Sequence, residues 1–366
     1  MLFTMKRLIP VFFLIILFSS CKKSESDFIW EKSFSRGTAY FIESASDSGF
    51  YACGEKGGNP YFVRFNKKRS QIIEFSSENP GLFSSAWFDT SGYITGGNSA
   101  GKILLMRYSS DGDKLWEKII DAGFKVDFTN LFYTGSGNLL SVSTASADSA
   151  DSGTTYLYFV RFDTTGNVTS EKKTTESGFV SANKAVPDNS GNIFLPITRK
   201  NGFSNPKASV AKYNNLFQKI WETELYNNPD FSASSLAISA DASGNIYVTG
   251  STEVSGKDGL LTNSFLASLT GNGTIRWKKY LEYYNSGAAL TFDNSNNLLM
   301  LNKNCYIINR TITDNGDDAG IIKTFSVCNS QNSDAFGHDI AVNYDSNILL
   351  AGSLGGNFFI ALKSSQ

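Results

Sequence analysis

Few side chains in this sequence form a pattern that supports acid–base, nucleophilic or metal chemistry. His338 is the single histidine, so several imidazoles cannot share a metal, and a His-dependent triad has one candidate base. The acidic run Asp314–Asp318 offers oxygen ligands for Ca²⁺ but lacks the spacing of a defined calcium loop. Glycoside hydrolysis needs only two suitably separated carboxylates, and Asp339 and Asp293 are the acidic residues expected nearest the innermost strands. We expect a non-enzymatic protein without metal or cofactor, with a polysaccharide hydrolase or lyase as the alternative.

The three cysteines beyond residue 21 give no metal or redox motif, because no CxxC spacing occurs. Cys305 and Cys328 fall within one predicted repeat unit, and we expect them to form a disulfide. Cys53 lies within a predicted strand, where it is expected to be a small buried apolar residue.

Residues 1–20 have the pattern of a targeting segment. A short basic part precedes an apolar run from Leu8 to Phe18, too short for the roughly 20 apolar residues that span a bilayer. Ser19 and Ser20 then precede Cys21. This pattern resembles the lipobox of bacterial lipoproteins, which implies a cleaved signal peptide (1–20), an acylated Cys21 and a polar tether (21–27). The resemblance implies a protein anchored by lipid to the outer membrane, either periplasmic or surface-exposed.

The charge of the chain excludes one class of partner. There are 33 basic and 34 acidic side chains, and the net charge is −3 once residues 1–20 are removed. Such a balance argues against nucleic acid as a partner. We expect a monomer that contacts the membrane only through its lipid and has a glycan or protein as ligand.

An internal repeat positions the remaining residues. The segment from Ser235 to Leu281 gives four strand-like runs separated by Gly- and Asn-rich turns. The turn after the first strand recurs at intervals of 43 to 54 residues, at Gly49, Gly92, Gly137, Gly191, Gly244, Asn296 and Ser346. Four-stranded units of this length are typical of propeller blades. The sequence therefore predicts an all-β, seven-bladed β-propeller of four-stranded antiparallel blades over residues 28–366.

The tryptophans indicate how the ring closes. Trp30, in the run from Phe28 to Phe34, aligns with tryptophans of three predicted fourth strands, which are Trp116, Trp221 and Trp277. The last unit has three predicted strands only. We therefore expect the N-terminal strand to complete the last blade, and the tryptophans to pack between blades.

The repeat motifs carry a family resemblance. "DASGNIYVTGS" from Asp241 and "YDSNILLAGS" from Tyr344 look like the bacterial β-propeller repeats called SBBP and delta-60. The resemblance covers nearly all of residues 28–366. It implies the propeller architecture of secreted and surface proteins and specifies no activity.

Connection lengths predict which face binds. The connections between second and third strands and the links between blades share one face of a propeller. Three of the predicted connections between second and third strands are long, namely Ser143–Thr155, Arg199–Lys207 and Ser251–Asn263. We call this face the long-loop face, and the opposite one the short-turn face. Irregular loops on a rigid scaffold commonly carry binding function, so we expect a ligand at the long-loop face and at the mouth of the central channel there. The ligand-binding candidates are Phe124, Phe203, Tyr226, Tyr283, Tyr284 and Lys257.

Overall fold

The structure is a computed structural model. It describes residues 28–364 except 90, 135–137, 147–154, 177–178, 201–204, 227–230, 257–258, 282–285, 304–305, 314–317 and 327–334. The described residues fold into strands and turns without a helix. Consequently, within those ranges no helix has the length and apolar character that a membrane crossing requires.

Asx turns connect strands on the short-turn face. In the turn after residue 240, the Asp241 carboxylate accepts hydrogen bonds from the backbone N–H groups of Ser243 and Asn245, both at 2.9 Å. Gly244 lies between them in a left-handed conformation with φ of +79°, which glycine adopts without steric cost. Asp188, Asp293 and Asn343 form the same arrangement in other blades.

Five sheets are self-contained antiparallel blades. Blade A contains β5 (Gly81–Asp89), β6 (Gly92–Ser99), β7 (Lys102–Tyr108) and β8 (Lys114–Ile120). Blade B contains β9 (Lys125–Tyr133), β10 (Asn138–Ser146), β11 (Thr155–Asp163) and β12 (Val168–Glu176). Blade C contains β13 (Phe179–Ala182), β14 (Val186–Pro187), β15 (Ile193–Lys200), β16 (Lys207–Tyr213) and β17 (Lys219–Tyr226). Blade D contains β18 (Phe231–Ala240), β19 (Ile246–Gly256), β20 (Gly259–Leu269) and β21 (Ile275–Leu281). Blade E contains β22 (Gly287–Phe292), β23 (Asn297–Asn302), β24 (Tyr306–Ile312) and β25 (Asp318–Ser326).

The sixth sheet has seven strands in the order β26-β27-β28-β1-β2-β3-β4. These are β1 (Phe28–Ser44), β2 (Phe50–Lys56), β3 (Asn59–Phe65), β4 (Gln71–Ser76), β26 (Ala335–Val342), β27 (Ile348–Leu354) and β28 (Asn357–Lys363). The 17-residue strand β1 pairs with β28 through its first part, where Trp30 lies opposite Leu362, and with β2 from Gly37 onward. The structure therefore shows five separate blades and not the predicted seven, because β1 runs unbroken between two pairings and joins the remaining strands into one sheet.

Apolar side chains of neighbouring sheets form the core between them. Phe159 of blade B, for example, stacks on Phe217 of blade C with ring centroids 5.0 Å apart. Cys53 is fully buried in the layer between β2 and blade A and forms no disulfide, which confirms its predicted role as a small apolar residue.

Trp116, Trp221 and Trp277 pack between neighbouring sheets, as predicted, whereas Trp30 packs on strands of its own seven-stranded sheet. The Trp116 indole N–H donates to the Thr164 carbonyl oxygen of the next blade at 3.1 Å. A Cβ atom placed on Gly166, in the same turn, would lie 3.1 Å from the Trp116 ring. Trp30 contacts Phe50 and Phe65 edge-on, at 5.6 and 5.0 Å between ring centroids.

Gly273 is expected to be intolerant of a side chain because Trp221 of the preceding blade lies against it. An added Cβ would lie 2.8 Å from the Trp221 ring, in a backbone with φ of +89°. We expect Gly273→Ala to lower the free energy of unfolding by about 2–4 kcal/mol, from left-handed strain and overpacking together. Gly244→Ala is the control, since that glycine has φ of +79° with open space around it. Equal losses in urea unfolding would show that the Trp221 contact contributes nothing.

Two of the three long connections predicted on the long-loop face are found, and the third is an extended hairpin. The connections after β10 and β15 are long, at 147–154 and 201–206. The predicted loop Ser251–Asn263, by contrast, is a hairpin whose pairing continues to Gly256 and Gly259. Alternating β-branched and polar residues such as Thr252 and Val254 suit an extended ladder, so β19 and β20 project beyond the neighbouring strands instead of ending in a loop.

Candidate functional site

A repeated irregularity in the first strand of each unit shapes the centre of the molecule. Pairing of first with second strands skips one residue at Tyr40, Ser84, Asp127, Leu236, Ala288 and His338. In blade C the first strand is interrupted at the corresponding place, between β13 and β14. A bulge leaves one residue unpaired and re-aims its side chain, and bulges are common beside functional sites.

The bulges surround one cavity of about 250 Å³. Every sheet contributes to its wall, with the residues Tyr40, Phe41, Ser84, Phe128, Asn183, Lys184, Leu236, Ala288, Lys303, His338 and Asp339. Lys303 directly follows β23, so it lies in a connection between a second and a third strand, and such connections lie on the long-loop face. The cavity is therefore the mouth of the central channel on the long-loop face, and we call it the channel mouth.

An ion pair crosses the channel at its floor. The Lys184 ammonium lies 2.8 and 2.9 Å from the two oxygens of Asp339, a residue 155 positions later in the chain. Asp339 is 1% exposed, and its Oδ2 also accepts a hydrogen bond from the Ile42 backbone N–H at 3.0 Å. One carboxylate therefore links β26, β1 and the interruption in blade C.

Burial and the charges of this ion pair shift the pKa values of Glu43, Cys53 and Lys184. Burial raises the pKa of Glu43, although Lys184 opposes the shift. Burial raises the pKa of the Cys53 thiol well above its usual value, and the Asp339 charge adds to the effect. Burial disfavours the Lys184 ammonium, but attraction to Asp339 and Glu43 outweighs it, so the Lys184 pKa is raised. The floor therefore holds a protonated lysine on a carboxylate, and the Cys53 thiol is buried outside the cavity, in the layer between β2 and blade A.

The rim of the channel mouth combines the His338 imidazole, the Tyr40 phenol and the exposed Lys303 ammonium group. The His338 ring contacts the Tyr40 ring edge-on, with centroids 5.0 Å apart. Burial, assisted by the positive charge of Lys303, lowers the His338 pKa to about 4. The imidazole is therefore neutral at pH 7 and offers one donor and one acceptor.

Of the predicted ligand-binding residues, two are described, and both are engaged in packing. Phe124 stacks on Tyr156 of blade B at 4.1 Å between ring centroids. Tyr226 packs against Phe265 at 4.8 Å, and burial raises its pKa to about 12. Neither residue lines the channel mouth. The remaining candidates, Phe203, Tyr283, Tyr284 and Lys257, lie outside the described residues, as do Cys21, Cys305 and Cys328.

The two carboxylates considered for catalysis have separate structural contacts. Asp339 is held by Lys184 and Ile42 at the channel mouth. Asp293 closes the turn at the opposite end of its blade, where it accepts hydrogen bonds from the backbone of Ser295 and Asn297. The described residues contain no group of three or more His, Cys, Asp or Glu side chains placed to hold a metal ion.

Lys184 and Lys303 were missed in the sequence, although one signal was available. Lys184 and Asp339 occupy the repeat position directly after the bulge, where other units have Phe41, Ala237 and Ala289. Blade A has Ser85 at this position, so a charge at a repeat position that is otherwise uncharged marks Lys184 and Asp339, and no such signal marks Lys303. The pairing of Lys184 with Asp339 across the channel depends on ring geometry, which the pattern does not contain.

Solved structures share the fold at low sequence identity. The WD40 domain of Neurospora crassa Pan2 matches with a TM-score of 0.56 and 12% identity, over 90% of each chain. A catalytically inactive virginiamycin B lyase from Staphylococcus aureus, solved with quinupristin, gives 0.59 and 10%, over 91% of this chain and 99% of that one. YCF48 bound to D1 peptide gives 0.57 and 9%, over 92% and 95%.

Likeness at these identities shows architecture alone. No protein-family model matches the sequence, and no curated protein matches it either. Sheet order, strand pairing and these structural matches agree on one conclusion: the chain folds as a β-propeller of four-stranded antiparallel blades.

Proposed function

We propose that this chain is a non-enzymatic binding or scaffold module of the cell envelope that engages a glycan or protein through its long-loop face. The observation that carries the proposal is the convergence of bulged first-strand residues on the channel mouth. Bulges at the same place in successive units turn side chains of different chemistry toward one cavity, as a ligand pocket requires.

The same proposal includes a ring of seven blades closed by the N-terminal strand. Five blades are separate sheets, and the seven-stranded sheet has the strands of one complete blade and three strands of another. Antiparallel pairing of Trp30 with Leu362 and of Lys32 with Ile360 supports assigning the first part of β1 as a fourth strand. The contacts of Trp30 with β2 and β3 parallel those of Trp116 with blade B.

A lipid anchor at Cys21, following a signal peptide, would place the channel mouth away from the membrane. Phe28 lies opposite Lys363, at the end of β28 on the short-turn face. A tether of residues 21–27 would leave from that face, on the opposite side from the channel mouth. We therefore propose an envelope lipoprotein with SBBP-like repeats whose binding face points away from its anchor.

The contacts of the candidate carboxylates favour binding over hydrolysis. A general acid or nucleophile must reach its substrate, whereas Asp339 is 1% exposed and directed at Lys184 and Ile42. Carbohydrate or peptide recognition requires none of this chemistry and fits the mixed polar and aromatic wall of the cavity.

The test is to identify the partner and then block the channel mouth. Cross-linking in the envelope followed by capture of the intact protein supplies the glycan or protein, whose affinity is measured by calorimetry. We expect Ala288→Trp to weaken binding at least about tenfold because its indole fills the cavity. Leu216→Trp, at an exposed position in a short-turn-face connection, should leave affinity unchanged.

Two outcomes would contradict the proposal. Full affinity in Ala288→Trp would remove the ligand from the channel mouth, and a triple Phe203, Tyr283 and Tyr284 alanine variant would then test the surrounding loops. Turnover of a polysaccharide that disappears in Asp339→Asn, while this variant retains native tryptophan fluorescence, would support the enzymatic alternative.

A further inference from the structure

The charges of the channel mouth are unevenly compensated. Lys184 is neutralised by Asp339 through two short contacts. Lys303 follows β23 at the rim and is exposed, and no ion pair to it is found among the described residues. The accessible end of the cavity therefore carries one positive charge that a ligand can meet.

The walls around that charge combine aromatic and uncharged polar side chains with the aliphatic Leu236 and Ala288. Tyr40, Phe128 and His338 present ring surfaces from three different first strands. Between them, the Asn183 side-chain amide N–H donates to the Ser235 carbonyl oxygen at 3.2 Å, and no donor to its side-chain oxygen is found in the part of the chain that the structure describes. Rings beside neutral donors and acceptors suit a ligand that has both an apolar face and hydroxyl groups, as a sugar has.

The volume limits the ligand to a single ring. A cavity of about 250 Å³ is smaller than the roughly 300–1,000 Å³ of pockets for drug-sized molecules. A peptide would gain most of its affinity from backbone hydrogen bonds along a sheet edge or groove, and a pit enclosed by every sheet provides no such length.

We propose that the channel mouth binds one uronic acid unit of an acidic glycan, with the sugar carboxylate on Lys303 beside His338 and the ring against Tyr40 and Phe128. This inference rests on the proposed binding function and specifies its ligand. The Lys303 ammonium would form a charge-assisted hydrogen bond with the carboxylate.

His338 gives the proposal a direct readout. The groups around it are Tyr40 of β1, with Glu55 near the phenol, Lys303 after β23, and the Lys184–Asp339 pair on the floor. A carboxylate bound at Lys303 adds a negative charge beside the imidazole, so it must raise the His338 pKa from about 4. By linkage, affinity for the uronate then increases as the pH falls from 7.5 to 5.

The experiment uses the intact protein and a defined pair of probes. A galacturonate trisaccharide is compared with the same trisaccharide carboxyl-reduced to neutral sugar, by calorimetry at pH 5 and 7.5. Because His338 is the single histidine, its ring proton resonance reports its pKa with and without each probe. We expect the uronate to bind at least tenfold tighter than the neutral probe and to raise the His338 pKa by one unit or more.

Matched variants separate this inference from the function it rests on. Lys303→Met should remove the preference for the uronate, whereas Lys102→Met, an exposed lysine paired with Asp121, should leave it intact. Equal binding of both probes, lost in Ala288→Trp, would overturn the acidic ligand and leave the binding site standing. If neither probe binds, or if only a peptide with a free C-terminal carboxylate does, the acidic-sugar proposal fails. Binding that survives Ala288→Trp overturns both proposals.

Discussion

Asp339→Asn is expected to lower the free energy of unfolding by about 3–5 kcal/mol, one of the largest effects of a single substitution in this chain. The substitution removes the negative partner of the Lys184 ammonium, whose side chain is 32% exposed, at a position where Asp339 itself is buried. Removing one member of a buried pair costs more than the pair contributes, because the remaining charge has lost the contacts that replaced water. Urea unfolding followed by tryptophan fluorescence measures the loss.

Two further variants identify the cause of the loss. Asp121→Asn breaks the exposed pair with Lys102 and should cost no more than about 1 kcal/mol. Lys184→Met combined with Asp339→Leu replaces the buried pair by apolar side chains and should recover most of the stability lost in Asp339→Asn. If Asp339→Asn is as stable as the unmodified protein, the pair does not hold the ring together.

This ion pair also marks the limit of what the sequence predicts. The turn after residue 240 could be read from its Asp and Gly residues, because an Asx turn depends on neighbours within four positions. Tryptophan packing between blades could be read from the repeat spacing of Trp116 and Trp221. The contact between Lys184 and Asp339 joins residues 155 positions apart across a channel whose dimensions no local pattern specifies.

The sequence predicted on which face the candidate site would lie, but it did not predict which residues line the cavity. A ligand was expected at the channel mouth on the long-loop face; a cavity lies there, and ligand binding in it stays a prediction. Aromatic loop residues were expected to contact ligand, whereas Phe124 and Tyr226 bury their rings against neighbouring blades. The two predicted residues lie in a link and in a fourth strand, whereas bulged first strands line the cavity, and hydrophobic alternation does not reveal a bulge such as the one at Tyr40.

Removal of Phe28–Ser35 is expected to have the other large effect. These residues pair with β28 on one side of the seven-stranded sheet. Without them β28 becomes an open edge, and the apolar layer that includes Trp30, Phe50 and Phe358 loses part of its cover. We expect a truncated chain that begins at Arg36 to unfold at lower urea concentration and to self-associate through the open edge, as measured by size-exclusion chromatography.

Moving the strand to the other end of the chain tests whether its place in the ring, and not its order in the sequence, matters. Phe28 lies opposite Lys363, so a copy of residues 28–35 appended after Gln366 through a short Gly-containing turn can form a hairpin with β28. We expect this version of the truncated chain to regain monomeric behaviour and most of its stability. The same addition with Trp30→Ala should remain about 2–4 kcal/mol less stable, because the indole fills the space beside Phe65.

A truncated chain that stays monomeric and stable without any addition would contradict closure by the N-terminal strand. Rescue by the transplanted strand would mean that the ring is held by β28 gaining a partner, since the covalent link from that partner to β2 is absent in this variant.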